Sequence, residues 1–392
     1  MKRAPAEPTP RPGCAGSATT RAPGVARRCA LGLAVLLSAV LGGCASPQSP
    51  LGYYWQSVTG HVQVLRAARP VPDWLADADT PAPLRERLQL AQRLRDFAVT
   101  DLALPDNPSY RRYADLQRRA VVWNVVAAPP DALTLKTWCF VVVGCVGYRG
   151  YYDEAEARSL AARLQADEGL ETAVYGVPAY STLGWLNWLG GDPLLNTFIH
   201  YPEGELARMV FHELAHQVVF VSGDTAFNES FASAVEKLGA GLWLTRHASA
   251  AARAEYAAFD TRRQAVRALA LRTRARLAEI YDPKSASRQQ GQDFAAMKNA
   301  AMADFRAEFE ALRQRLGGSD ADWGGYAAWV ARANNASLGA QAAYNDRVPA
   351  FEALFERGGR DWHRFYDAVK HLAALPAAER ETALARLQPA SP

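Results

Sequence analysis

MVFHELAHQVVF, residues 209–220, sets two histidines and a glutamate into an otherwise apolar stretch. On an α-helix, positions four apart differ by about 40° of rotation, so His212 and His216 stack on one face. H-E-x-x-H is the pattern by which two imidazoles on one helical face converge on a single metal ion. Glu213, one position along, is close enough to hold a water on such an ion without ligating it. Chance is a weak competitor: ordinary residue frequencies give an HExxH on the order of once per hundred chains of this length. Residues 209–211, 214–215 and 217–221 are uncharged, so the trio lies in a buried helix, read as roughly 203–221. Carboxylates are almost never fully buried without a partner. A metal ion accounts for all three residues at once.

Two imidazoles alone do not make a zinc site; a third protein ligand is needed. The segment SGDT at 222–225 reads as a tight turn, followed by a partner helix from about 226 to 243 that contains Phe227-Asn228-Glu229-Ser230-Phe231-Ala232. With the turn centred between Ser222 and Gly223, His216 lies about six residues before it and Glu229 about six after. In an antiparallel helix pair both come out level, each roughly 10 Å from the turn at 1.5 Å per residue. Spacing alone therefore delivers Glu229 to the ion as third ligand. Glu236, seven positions on, points the same way. It, or Asp224 in the turn, could accept the free imidazole N–H of a ligand, the usual outer arrangement; Asn228, beside Glu229, is grouped with them. The competing readings are a solvated helix face for Glu236 and a plain turn cap for Asp224. A reaction at such a centre also needs an oxyanion donor. Tyr180 and Tyr344 are the candidates, Tyr180 because an edge strand in YGVPAYSTLGW would line a cleft and pair with an extended substrate. The remaining histidines, at 61, 200, 247, 363 and 371, stand alone in sequence.

HELAH followed by NESFA on a second helix resembles the gluzincin metallopeptidases. More specifically, HELAHQ, GDTAFNESFA, the WCF–GC–GYRGYY block and YGVPAYSTLGW behind a lipobox resemble the putative aminopeptidase family of proteobacterial lipoproteins. The likeness covers nearly all of the mature chain. It implies His212, His216 and Glu229 as ligands of one Zn2+ ion, Glu213 as general base and peptides as substrates. The gap from the second histidine to the glutamate is shorter than in the thermolysin-like and large aminopeptidase groups, so their substrate-recognition residues do not transfer. No counterpart of the motif that reads a free amine is present. Aminopeptidase therefore rests on the family's name, with an envelope endopeptidase and a scaffold or peptide-binding lipoprotein carrying a structural zinc as alternatives.

The first 43 residues read as a signal. A basic lead ends in Arg27-Arg28, the apolar run CALGLAVLLSAVL is too short for a stable span, and LGGC at 41–44 resembles a lipobox with Cys44 as the acylated residue. Several acyl chains on Cys44 would anchor the protein stably, through a tether at 44–50, to a membrane of the bacterial envelope. With no aspartate after Cys44, the resemblance favours the outer membrane, facing the periplasm. Residues 1–43 hold six of the 44 basic and one of the 40 acidic residues. The mature chain thus has 38 and 39, a formal charge of −1, which removes any electrostatic case for nucleic-acid binding. Cys139 and Cys145 form either a disulfide in an oxidising compartment or two buried thiols on apolar strands.

The expected fold class is α+β. Residues 51–245 form the catalytic domain, a small mixed or antiparallel sheet packed on the HExxH helix in a zincin-like manner, and 246–392 a helical C-terminal region. Thr80 and Pro81 signal one helix start, Asp153 another, and Gly169 a stop. Long helical patterns near 249–280 and 290–316 predict a helical hairpin.

Overall fold

Helix-forming sequence dominates from residue 50 onward. The computed structural model, which describes residues 50–140, 144–185, 187–285, 293–341 and 347–388, contains thirteen α-helices among them. Cys44 and Tyr344 lie outside the described residues. The chain divides into two units, Met1–Tyr54, described from residue 50, and Trp55–Pro392.

The expected single sheet is three small ones. Strands β1 (Arg69–Pro70) and β2 (Arg112–Ala114) pair antiparallel, and β2 pairs parallel with β8 (Leu194–Leu195). Strand β3 (Val122–Ala128) is central to an antiparallel sheet between β6 (Arg149–Tyr151) and β7 (Glu171–Val177). The third is a hairpin of β4 (Trp138–Phe140) and β5 (Gly144–Val146). There Cys139 and Cys145 are directly opposed and joined by a disulfide, so the pair is bonded rather than two buried thiols. Both cysteines are exposed. Gly144, at φ +75°, lies against the turn of the site: a Cβ there would stand 2.9 Å from the Gly223 nitrogen.

Helix α1 (Pro50–Ala67) is followed by α2 (Val71–Ala76) and α3 (Ala82–Thr100). Thr80 does not cap α3, because its hydroxyl donates to the Trp74 carbonyl (2.6 Å) and Pro81 takes the cap position. Helix α4 (Glu154–Glu168) follows its signals: the Asp153 side chain accepts the Glu156 N–H, and Gly169 ends the helix in the left-handed region at φ +65°. This helix and α10 (Asn335–Ala340) cover the β3 sheet.

The HExxH segment is α5 (Glu203–Ala215), and its partner is α6 (Thr225–Arg246). Its main packing partners are helices, α6, α3 and α7 (Ala250–Tyr281), rather than the sheet expected from the sequence. The reason is its composition: Leu206, Ala207, Val210, Phe211, Leu214 and Ala215 are fully buried on several sides, more apolar surface than these short strands can cover. Gly239 of α6 permits the close approach, since a Cβ there would lie 3.0 Å from the Phe211 ring.

Residues beyond 246 do not pack as one body. Helix α7 and α8 (Phe294–Leu316) form the expected hairpin and share a separate core with α9 (Asp320–Arg332), built on Leu269, Phe305, Phe309 and Trp323. Helices α11 (Val348–Arg357), α12 (Trp362–Ala374) and α13 (Ala377–Leu387) return to the core of the site helices. There Phe351 lies within aromatic contact of Phe227 (5.3 Å) and Phe231 (5.9 Å).

Candidate metal centre

Helix α5 ends at Ala215, six residues earlier than the apolar pattern suggested, and His216 is its C-cap. The β-branched run after it leaves the helix. Asn228 holds the exit, its side chain donating to the Val221 carbonyl and accepting the Val221 N–H, both at 2.8 Å. A turn at Gly223 (φ +80°) then returns the chain as α6. Asn228 is thus a backbone clamp and not a partner of the imidazoles.

This turn brings Glu229 to the histidines. Nε2 of His212 and Nε2 of His216 stand 3.2 Å apart. The Glu229 carboxylate lies 3.4 Å from the first and 3.9 Å from the second. Three ligand atoms on a tetrahedral zinc with bonds of 2.0–2.1 Å stand about 3.3 Å apart. The two nitrogens match that spacing; the Glu229 oxygens face one imidazole each, and one ligand atom from each of the three residues lies within 4.8 Å of the other two. His212, His216 and Glu229 are the group of metal-ligating type found among the described residues, two nitrogens and one oxygen, the donor set of an open catalytic zinc site.

A chain of alternating charges supports His212 from behind. Its Nδ1 lies 3.1 Å from Glu236 Oε2, an ion-pair contact off the line of a straight hydrogen bond. The other Glu236 oxygen accepts from the Arg208 guanidinium. Arg208 in turn contacts Glu205 (3.5 Å), which accepts from Arg263 of α7 at 2.8 and 2.9 Å. Burial works against the ionised Glu236, but Arg208 and His212 outweigh it and hold its carboxyl below the usual range. For His212, burial disfavours the cation, yet contacts with Glu229 and Glu236 prevail and raise it. Burial depresses His216 to about 4, keeping it neutral as a ligand must be. The sequence predicted Glu236; Arg208, one turn before His212, carried no signal beyond its spacing.

Glu213 is different in kind. It is only 7% exposed, and among the described residues no hydrogen bond or ion pair engages its carboxylate. Burial pushes it up to about 7, against the pull of His212. An unforeseen group interacts with it electrostatically. Tyr110, held at φ +64°, has a buried hydroxyl without a described partner, and Asp192 accepts the Thr182 N–H (3.0 Å) while its other oxygen is unpartnered. Nothing in the sequence around Tyr110 points to the site.

Two expectations are corrected. Asp224 does not reach an imidazole: it caps α6 by accepting the Phe227 N–H (3.0 Å) and pairs with Arg347 (3.1 Å) and Arg380 (3.0 Å). Tyr180 is not on an edge strand. Strand β7 ends at Val177, before Pro178, and the Tyr180 hydroxyl is bonded to His61 Nδ1 and packed edge-to-face on Tyr152.

The helix pair thus brings two imidazoles and a carboxylate together, with the buried Glu213 carboxylate on the same helix as the histidines. The family model described as Putative aminopeptidase matches residues 52–384, and the chain belongs to that family. No curated protein and no solved structure matches it.

Two outcomes follow from this geometry. Removing outer contacts of zinc ligands costs roughly 10–100-fold in metal affinity; Glu236→Gln and Arg208→Met are expected to weaken zinc binding by that order in chelator competition, and unchanged affinity in both would refute the supporting role. The Glu213 carboxyl, raised to about 7 in the folded chain from 4.5, holds its proton more tightly folded than unfolded. Its ionisation therefore costs the metal-free fold stability as pH rises through that window. Metal-free Glu213→Gln should be more stable than the parent by up to about 3 kcal/mol at pH 8, and equal to it at pH 4, in urea unfolding; a gap at both pH values contradicts the account.

Proposed function

We propose that this chain is a zinc-dependent peptidase of the bacterial envelope, anchored through acyl groups on Cys44 and removing residues from free peptide N-termini. The observation that carries the reading is the convergence of His212, His216 and Glu229 around one point, with the unengaged Glu213 carboxylate on the same helix. Zinc held there would acidify a water and polarise the scissile carbonyl. The residues supply the rest. Neutral His216 and ionised Glu229 offer lone pairs, and Glu236 fixes the His212 ring. Glu213, near neutrality in the metal-free chain, takes a proton from the attacking water and delivers it to the departing amine. A closed structural site would require a fourth protein ligand, and the described group has three. The family supports the aminopeptidase specificity; the lipobox-like LGGC supports the anchor.

The test is a comparison of the lipidated chain with Glu213→Gln on matched peptides, one set with free and one with acetylated N-termini. The expected result is about one zinc per chain in both proteins, cleavage of the free set by the parent alone, and loss of at least ~100-fold in rate in the variant, the scale of general-base catalysis. Equal cleavage of both peptide sets would make it an endopeptidase. Full activity in Glu213→Gln would overturn the mechanism.

A further inference from the structure

Six large apolar side chains between Trp55 and Pro392 are exposed among the described residues, and five of them fall in two short segments. Trp55 (72%) and Val58 (59%) lie on α1; Trp185 (64%), Trp188 (77%) and Leu189 (43%) lie on the loop after β7. Arg112 ties the C-terminal end of α1, ten residues beyond Trp55, to the loop. Its guanidinium donates to the carbonyls of Leu65 (3.2 Å) and Ala68 at the end of α1, and to that of Leu189 (3.5 Å) in the loop. Upstream, His61 of α1 bonds Tyr180 at the loop's start.

The loop is braced. Ser109 donates to Asn187 (3.1 Å), Asp192 accepts the Thr182 N–H, and Gly191 lies so close to Ser109 that a Cβ would stand 2.5 Å from its nitrogen. The tryptophans are therefore held outward by a built scaffold. Scattered exposed apolar residues need no explanation, but a concentrated set does. Three of the five are tryptophan, whose ring with one polar N–H suits the headgroup level of a bilayer.

We propose that Trp55, Val58, Trp185, Trp188 and Leu189 form a seat on the lipid surface to which the chain is anchored. This rests on the acylation of Cys44, which lies eleven residues before Trp55, a span of at most roughly 40 Å even if extended. The seat also places the metal centre. Gln217, next to His216, bonds Ser109 (3.1 Å) and Asp192 (3.3 Å) of the same scaffold, and Gly184 of the loop lies against it. The reaction would then occur beside the membrane, on peptides at its surface.

The test reconstitutes the lipidated full chain into vesicles of zwitterionic and anionic phospholipid with brominated acyl chains, which quench tryptophans at the interface. The parent should be quenched, and Trp185→Ser/Trp188→Ser should lose most of that quenching while cleaving a soluble peptide with unchanged KM in the absence of vesicles. Equal quenching of parent and variant, or none in either, overturns the seat. A raised KM for the soluble peptide overturns it in favour of a substrate-binding lip. Intact mass reads the acylation of Cys44 separately, so an unacylated chain that is still quenched through these tryptophans would remove the anchor and leave the seat.

Discussion

Two imidazoles and three carboxylates, those of Glu213, Glu229 and Glu236, are packed between two helices whose other neighbours are aromatic and aliphatic. Taking such groups out of water costs several kcal/mol for each charge; the imidazoles, Glu229 and Glu236 offset that cost by facing one another, and Glu213 lessens it by holding its proton. The turn at Gly223 is what makes them meet. It folds α6 back on α5 so that Glu229 arrives level with His216. Asn228 on Val221 and Asp224 with Arg347 and Arg380 fix that turn from both sides. Gly144 of the disulfide-closed hairpin packs against it as well.

Electrostatics divide the buried groups by role. Glu229 and Glu236 are held ionised by the cationic groups around them, whereas Glu213, with no such partner engaging its carboxylate, is driven toward neutrality. Carboxylates whose surroundings push them apart in this way are suited to different roles in one site, the division on which the proposed ligand and proton-carrier assignments rest. The Arg208–Glu205–Arg263 chain extends the arrangement to α7, tying the centre to the long helical hairpin. Breaking one member leaves a charge buried and unpaired, which is costlier than the pair is worth.

The centre was more legible in the sequence than its surroundings. HELAH fixes the relative direction of two imidazoles through helical geometry alone, and counting residues across SGDT places Glu229. Both are local arguments. Tyr110 and Asp192, which interact electrostatically with Glu213, belong to distant segments brought in by long-range packing that no periodicity records. Helix α5 was read too long because an apolar run does not reveal that a side chain, Asn228, will bind the backbone beyond it. The sheet was read as one because strand-like composition does not state which strands pair. The C-terminal region reads as helical, as it is; the return of α11–α13 to Phe227 and Phe231 is again a long-range matter that the sequence does not state.

The account's central claim is that three side chains on two helices bind one zinc ion and leave a position open. X-ray absorption at the zinc edge, on the parent and on Glu229→Ala, tests it most directly. The account predicts a four-coordinate shell of nitrogen and oxygen at about 2.0–2.1 Å, with the imidazole signature of two histidines, and loss of zinc from the variant. A sulfur-containing shell, or a spectrum unchanged by removal of Glu229, would contradict it.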